Sequence, residues 1–324
     1  MSSPFRLEFE PKPFDKKIQI GHQMMLMGSC FTEHIHQRLE SYKFPCLQNP
    51  HGILFNPISI FTSLHQYLDE STIGPEDIFE VQGIWRNWNF HSSLSSADKS
   101  TALSSMNDAI QQGASFIKKA DWLILTLGSA FVYYHKNKIP VSNCHKVPVT
   151  EFTKKLLTPE NIILAFEQVY QKLRHVNPSL KVILTISPVR HLRDGFIENN
   201  RSKAVLINAV DQICTQQEDV LYFPSYELII DDLRDYRFYA EDMVHPNYLA
   251  TKYVWTKFVQ TAFDGSAKEV LKELEDIKNA YEHKVLHPDS SEYQTFRTKY
   301  RKKIIELSER FPQMDLQNEL LHFS

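Results

Sequence analysis

The chain has 324 residues and a formal net charge of −3, which leaves no basic footprint for nucleic acid. Apolar residues make up 42% and charged residues 23%, the balance of a soluble globular protein, and the length accommodates one large domain or two smaller ones. No apolar run reaches the roughly 18 residues of a membrane span, and residues 1–17 mix Pro, Glu and Lys where a signal peptide would carry an apolar stretch.

Cys30, Cys46, Cys144 and Cys214 are widely spaced and form no CxxC pair. Free thiols in a reducing, cytoplasmic setting suit that spacing better than a disulfide framework. Only nine glycines occur, so Gly28, Gly52, Gly128 and Gly195 mark positions that need an unusual backbone or a close approach.

Residues 1–20 read as an extended lead-in. Residues 23–28 carry no charge and predict a buried strand. Gly28-Ser29 bends the chain, and the spacing of Phe31, Ile35, Leu39 and Tyr42 predicts a helix over 32–42. Residues 44–47 suggest a short strand, 49–57 a loop punctuated by Pro and Gly, and 58–68 a helix. Residues 78–90 are aromatic and alternating, as in an irregular β-ribbon, and 99–119 are helical. Residues 122–128 form a second buried strand, again stopping at Gly then Ser129. Residues 132–141 predict a hairpin turning at Lys136-Asn137, and a loop over 142–146 follows.

A helix over 159–174 opens with Pro, residues 180–186 form a third buried strand ending at Ser187-Pro188, and 200–217 are helical. Residues 220–223 read as a fourth strand, 226–233 as a short helix, and 246–263 as a helix opened by Pro. After Asp264-Gly265 the composition becomes more charged, and 268–283 and 291–311 carry apolar residues at helical spacing. The expected division is a main domain over 1–263 and a C-terminal helical hairpin over 264–324. Its stripe of Val270, Leu271, Leu274, Ile277 and Tyr281 must cover the main domain or a second copy of the chain, because a lone amphipathic helix is marginal in water.

Buried strands alternating with helices of ten or more residues imply an α/β three-layer sandwich, a mostly parallel sheet with helices on both faces. Right-handed crossovers put the carboxyl ends of the strands on one rim, where such folds bind ligands. That rim collects Ser29, Ser129 and Ser187.

A strand that ends in Gly-Ser and feeds a helix sets a hydroxyl on the rim, beside amides that suit a developing negative charge. Ser29 could equally cap the helix. A serine nucleophile needs a base, and the base needs an orienting acceptor. Asp242 and His245 stand three residues apart just before a helix, so one turn of backbone can set the carboxylate beside the imidazole. Ser29, His245 and Asp242 are therefore the expected nucleophile, base and orienter. Cys30 reads as a buried thiol, with a substitute nucleophile as the other reading. His91, His145 and His191 fall on rim loops without recognisable zinc-ligand spacing, so substrate-binding or structural roles are expected and no metal or cofactor. Arg237, with Arg234 and Tyr239, could grip an anionic or sugar substrate or pair with Asp231, Asp232 and Asp235.

Gly28-Ser29-Cys30-Phe31-Thr32 resembles the motif that names the GSCFA family, with Thr32 in place of the final Ala. That family is similar to a branch of the SGNH (GDSL-like) hydrolases. Gly28-Ser29 corresponds to the block that carries the nucleophile, and Asp242-Met243-Val244-His245 to the closing Asp-x-x-His block. Asn143-Cys144-His145-Lys146, Ser187-Pro188-Val189-Arg190-His191 with Asp194-Gly195, and Arg234-Asp235-Tyr236-Arg237-Phe238-Tyr239 resemble further GSCFA blocks. The resemblance spans residues 20–262.

It implies a flavodoxin-like α/β/α sandwich of about five strands and ester hydrolysis or acyl transfer through an acyl-enzyme. It also implies an oxyanion hole built from Ser29, Gly52 and a third donor. The SGNH pattern has Gly-x-Asn where this chain has Gly128-Ser129-Ala130. With Ala130 there, Ser129 and Asn143 become the candidates, and Ser129 is preferred because it follows the strand directly. The wider clan implies a small-molecule or carbohydrate ester as substrate, with an O-acyl ester preferred. An acyltransferase using the same acyl-enzyme, or a non-catalytic binding module on a hydrolase fold, are the competing readings.

Overall fold

The structure, a computed structural model, describes residues 7–136, 139–284 and 286–324. β1 (Met24–Gly28) is buried throughout, and α1 (Phe31–Ser41) follows almost at once. β2 (Cys46–Gln48) and α2 (Pro57–Leu68) come next. The Asn56 side chain accepts from the Ser59 amide, and Pro57 occupies a first-turn position that has no need of an amide. A small hairpin, β3 (Phe79–Val81) and β4 (Ile84–Arg86), precedes α3 (Lys99–Ile117) and the buried β5 (Trp122–Leu127). β6 (Phe131–His135) pairs antiparallel with both β7 (Ile139–Val141) and β8 (Phe152–Leu156). α4 (Pro159–Val176) starts from a Thr158–Asn161 capping box and leads to β9 (Lys181–Ile186). α5 (Gly195–Gln216) leads to β10 (Val220–Phe223). A short α6 (Ser225–Glu227) runs into a π-helical turn over Leu228–Leu233, followed by α7 (Tyr248–Ala262), α8 (Gly265–Tyr281), α9 (Ser291–Arg310) and α10 (Gln317–His322).

Five of these strands form one parallel sheet in the order β10-β9-β5-β1-β2. The chain winds outward in both directions from β1 and β5, which is the flavodoxin-like order. Alternation along each strand splits the side chains between two faces. Met25 and Met27 of β1 pack with Ile60 and Leu64 of α2, Ile110 of α3, Phe166 of α4 and Val210 of α5. Met24 and Leu26 pack with Phe31 and Leu39 of α1, Trp255 and Phe258 of α7, and Val270 and Leu274 of α8. α1 and α2 thus lie on opposite faces, and the winding reverses between β1 and β5. The crevice this reversal opens lies at their carboxyl ends, where Ser29 and Gly128 emerge.

The helices after Asp264 share the second core, which also takes Tyr300 and Ile304 of α9. Tyr281 departs from the expected stripe: it is 41% exposed, with its ring 4.3 Å from that of His322. β8 was not expected from the sequence. It is an edge strand joined to the small sheet only through β6, and Lys154-Lys155 interrupt any apolar alternation. The expected turn between β6 and β7 falls partly on residues 137–138, outside the described residues. α5 begins five residues before its apolar pattern, because its inner face opens with polar Asn199, Ser202 and Lys203, all buried.

Candidate active site

Gly28 ends β1 with φ 134°, and a Cβ there would sit 2.1 Å from the Thr126 carbonyl oxygen of the neighbouring strand. Only glycine permits that approach, and Asn49 secures it by accepting from the Gly28 amide through Oδ1 at 2.8 Å. Ser29 follows directly and is completely buried. It is not the helix cap. Cys30 occupies that position without a side-chain bond, and the Ser29 hydroxyl has no hydrogen-bond partner among the described residues. A buried hydroxyl left unpaired costs about 1–3 kcal/mol, so its retention calls for a purpose. The neighbouring Thr32 hydroxyl is buried and unpaired as well.

Asp242 and His245 are joined within one turn. The Asp242 Oδ2 to His245 Nδ1 distance is 2.6 Å, and Oδ1 accepts from the amides of Val244 at 2.9 Å and His245 at 3.0 Å. Met243 takes the left-handed backbone that closes this turn, φ 58°. The His245 amide, its imidazole and the Val244 amide together hold the Asp242 carboxyl down at about 2. Arg190 ties the turn to the loop after β9, its guanidinium donating to the Met243 carbonyl at 3.4 Å. The same guanidinium lies 4.2 Å from the Tyr239 ring centre, and beside it a hollow of about 300 Å³ is lined by Arg190, Asp231, Arg234, Tyr236 and Tyr239. Ser29 and His245 make no hydrogen bond in this structure.

His191 occupies the space next to Ser29. A Cβ built on Gly128 would stand 3.1 Å from His191 Nε2, 3.1 Å from the Phe55 carbonyl oxygen and 3.3 Å from Ser29 Cβ, so these groups pack closely around Gly128. His191 Nε2 is buried and unpaired. Its backbone amide donates to Asn199 Oδ1 at 3.0 Å, and its ring meets Phe55 edge-on at 5.3 Å. Burial, then the positive charges of Lys203 and His245, push its pKa down to about 4. His245 has the same lowering influence on His34 of α1. The Arg190 amide donates to the Val244 carbonyl at 3.5 Å, which joins the turn carrying His245 to the loop carrying His191.

Lys203 gave no signal in the sequence, where a lysine in a helix reads as solvated. It is 1% exposed, and its ammonium donates to the carbonyls of Gly128 at 2.7 Å and Ser187 at 2.6 Å, joining the ends of β5 and β9. Burial pushes its pKa down to about 7. The residue before it, Ser202, accepts from the Ala130 amide through Oγ at 2.7 Å.

The amides expected of an oxyanion hole are all engaged. Ser29 donates to Thr126 at 3.1 Å, Gly52 to Asn49 at 2.7 Å and Ser129 to Phe55 at 2.9 Å, each to a backbone carbonyl. The Ser129 hydroxyl accepts from the Phe131 amide at 3.1 Å and lies 3.3 Å from Ser202 Oγ. His145 Nε2 donates to the Asn87 carbonyl at 2.7 Å and its Nδ1 faces Ser92 Oγ at 3.3 Å, so both nitrogens are engaged within the fold. Asn143 accepts from the His145 amide at 2.8 Å and closes the same loop. His91 packs over Gly52 and bonds Ser93 Oγ at 3.0 Å. The Arg237 guanidinium pairs at the surface with Asp235 at 3.1 Å. Among the described residues no group of three or more His, Cys, Asp or Glu side chains is placed to hold a metal.

Several solved structures overlap with this chain at low identity. A carbohydrate esterase family 3 protein from Talaromyces cellulolyticus is 11% identical, with a TM-score of 0.36 over 79% of this chain and 99% of that one. A putative platelet activating factor from Streptococcus pneumonia is 13% identical, with a TM-score of 0.38 over 75% of this chain and 84% of that one. An acetyl xylan esterase from Butyrivibrio proteoclasticus is 12% identical, with a TM-score of 0.36 over 80% of this chain and 65% of that one. No curated protein matches the sequence. The model of the GSCFA domain protein C-terminal domain matches residues 274–324, which cover the helices packed on the second core. The GSCFA family model matches residues 23–258, from β1 through Ser29, His191 and the Asp242–His245 turn into α7, and the chain belongs to the GSCFA family.

Proposed function

We propose that this protein is a serine hydrolase of SGNH type that cleaves an ester through an acyl-enzyme on Ser29. The observation that carries the reading is the Ser29 hydroxyl itself. It stands at the switch point of the sheet, spends no bond on capping, and is buried without a partner. The paired Asp242 and His245 supply the base and its orienter on the same rim. In this scheme His245 Nε2 takes the Ser29 proton as Oγ attacks the acyl carbon. Asp242 fixes the tautomer and stabilises the imidazolium, and His245 returns the proton to the departing alcohol. Contact between Ser29 and His245 forms on substrate binding, as catalytic hydrogen bonds often tighten only in the complex.

The preferred substrate is a carbohydrate O-acyl ester, by what the resemblance to SGNH hydrolases implies. The hollow beside Arg190, with Tyr236 and Tyr239, offers stacking faces and charge for such a group. An acyltransferase would use the same acyl-enzyme with an alcohol in place of water. No described helix is long and apolar enough to cross a membrane, and we place the protein in the cytoplasm on the strength of its four free thiols.

A binding module without catalysis is the second reading. The engaged amides of Ser29, Gly52 and Ser129 favour it. Hydrolysis of an activated acetyl ester and labelling by a fluorophosphonate, wild type beside Ser29→Ala, separate the two. Turnover and labelling that vanish in Ser29→Ala support the hydrolase; equal behaviour of both proteins supports the module.

A further inference from the structure

We propose that His191 is an oxyanion donor, its Nε2–H standing in for the asparagine that Ala130 replaces. This inference rests on the serine-hydrolase reading above. An acyl-enzyme mechanism needs donors aimed at the carbonyl oxygen as it becomes negative, and each is worth about 100- to 1,000-fold in kcat. Ser129, the donor expected from the sequence, is committed elsewhere: its amide bonds Phe55 and its hydroxyl faces the Phe131 amide and Ser202. Asn143 is held in the loop around His145.

His191 Nε2 has no such commitment. It is buried and unpaired, and it and Ser29 Cβ each lie within 3.3 Å of the point where a Gly128 side chain would begin. The two groups are therefore neighbours across Gly128, which puts an unpaired ring nitrogen beside the proposed nucleophile.

The chemistry selects a donor role over a base role. A base needs an acceptor on its second nitrogen, as His245 has in Asp242. No carboxylate hydrogen-bonds the His191 ring among the described residues. Burial and the nearby Lys203 charge hold the ring neutral at physiological pH, and a neutral imidazole carries one N–H to donate. In the step itself Ser29 Oγ bonds to the acyl carbon and its proton moves to His245 Nε2. The carbonyl π pair moves onto the oxygen, which accepts the His191 N–H without proton transfer. Collapse restores the carbonyl and expels the alcohol, protonated by His245.

The experiment compares His191→Ala and His191→Gln with wild type in ester hydrolysis and fluorophosphonate labelling of Ser29. The expected result is a 100- to 1,000-fold fall in kcat for His191→Ala with KM nearly unchanged, at least a tenfold recovery in His191→Gln, and a parallel fall in labelling rate. Labelling of His191→Ala at the wild-type rate, or a loss confined to KM, overturns the donor role while leaving the hydrolase reading intact. Wild type that neither turns over nor labels overturns both. A measurement on wild type avoids any folding defect of the variants. In the Ser29 phosphonate adduct, ¹⁵N NMR should find the His191 proton on Nε2 and shifted downfield; an unprotonated Nε2 there overturns the proposal.

Discussion

The Lys203 ammonium bonds the Gly128 carbonyl at 2.7 Å, so a helix on one face of the sheet holds the loop that borders Ser29. Lys203→Met should strand that carbonyl and the Ser187 carbonyl in a buried site. At about 1–3 kcal/mol for each unsatisfied group, the loss is roughly 2–6 kcal/mol, readable by urea unfolding. The wild-type protein should also show a pH signature. Burial holds Lys203 at about 7, below its value in the unfolded chain, while the two carbonyls favour the charged form. Between pH 7 and about 10 the unfolded chain therefore binds the extra proton, and stability rises with pH across that window. Lys203→Met should flatten this slope; an unchanged slope would refute the assignment.

Three buried histidines govern the acid side. Burial pushes His51, His145 and His191 each to about 4. Their unfolded value is about 6.5, so the unfolded chain takes up protons between pH 6.5 and 4 that the folded protein refuses. Stability should fall as pH drops through that window, by up to about 1.4 kcal/mol per pH unit for a fully buried histidine. Asp242 works with the opposite sign at lower pH. Its depressed carboxyl favours the fold above about 4 and loses that contribution only as pH falls toward 2. Thermal unfolding midpoints should fall as pH drops from about 6.5 to 4. A flat profile over pH 4–6.5 would contradict the neutral, buried state of these rings.

The two glycines at the crevice should respond differently to alanine. At Gly28 the new Cβ would meet the Thr126 backbone at 2.1 Å in a left-handed conformation, and β1 would separate from β5. Gly28→Ala should fail to accumulate as folded protein. At Gly128 the closest approaches are 3.1 Å, to His191 Nε2 and the Phe55 carbonyl. Gly128→Ala should fold, with a modest loss of stability, and lose activity because the methyl crowds His191 and Ser29. Circular dichroism and ester turnover distinguish the two outcomes, and a fully active Gly128→Ala would place the reacting carbonyl elsewhere.

The C-terminal helices offer a test of packing. Val270, Leu271, Leu274 and Ile277 are buried in the core that holds Trp255 and Phe258. Leu274→Ala should cost about 2–5 kcal/mol. Removing residues 265–324 should expose that face and bring aggregation or self-association, visible by light scattering. A truncated protein that stays soluble, with unchanged mass and activity, would show that the helices are dispensable.

What the sequence makes legible follows the range of each interaction. β1 and β5 are uncharged runs that stop at Gly, so their burial and ends can be read locally. The Asp242–His245 pair closes within one turn and is equally readable. β8 is not, because its partner strand rather than its own pattern defines it. Lys203 reaches carbonyls 75 and 16 residues away, and nothing in a helix of mixed composition marks it as buried. His145 looks like a free rim histidine until Asn87, 58 residues away, claims its Nε2. The engagement of the Ser29, Gly52 and Ser129 amides depends on how loops fold over the rim, which no local spacing records.

Ser29 ties stability to function, and its replacement should move the two in opposite directions. A serine kept for structure would bond its hydroxyl, and Ser29→Ala would then destabilise. Here the hydroxyl is buried and unpaired, so the alanine variant should be more stable than wild type, by about 1 kcal/mol or more, while losing several orders of magnitude in kcat. His245→Ala should match that loss, and the double variant should be little worse, because nucleophile and base act as a unit. Asp242→Asn should cost up to about 10⁴-fold, since an amide cannot hold the imidazole tautomer as the carboxylate does. The Asp242 carboxyl sits at about 2, so it stays ionised throughout pH 5–9 and contributes no limb to the activity profile there. Urea unfolding of Ser29→Ala beside wild type decides the structural half without any knowledge of the substrate. A variant that is clearly less stable would mean that the hydroxyl serves the fold, and the case for a nucleophile at this position would be lost.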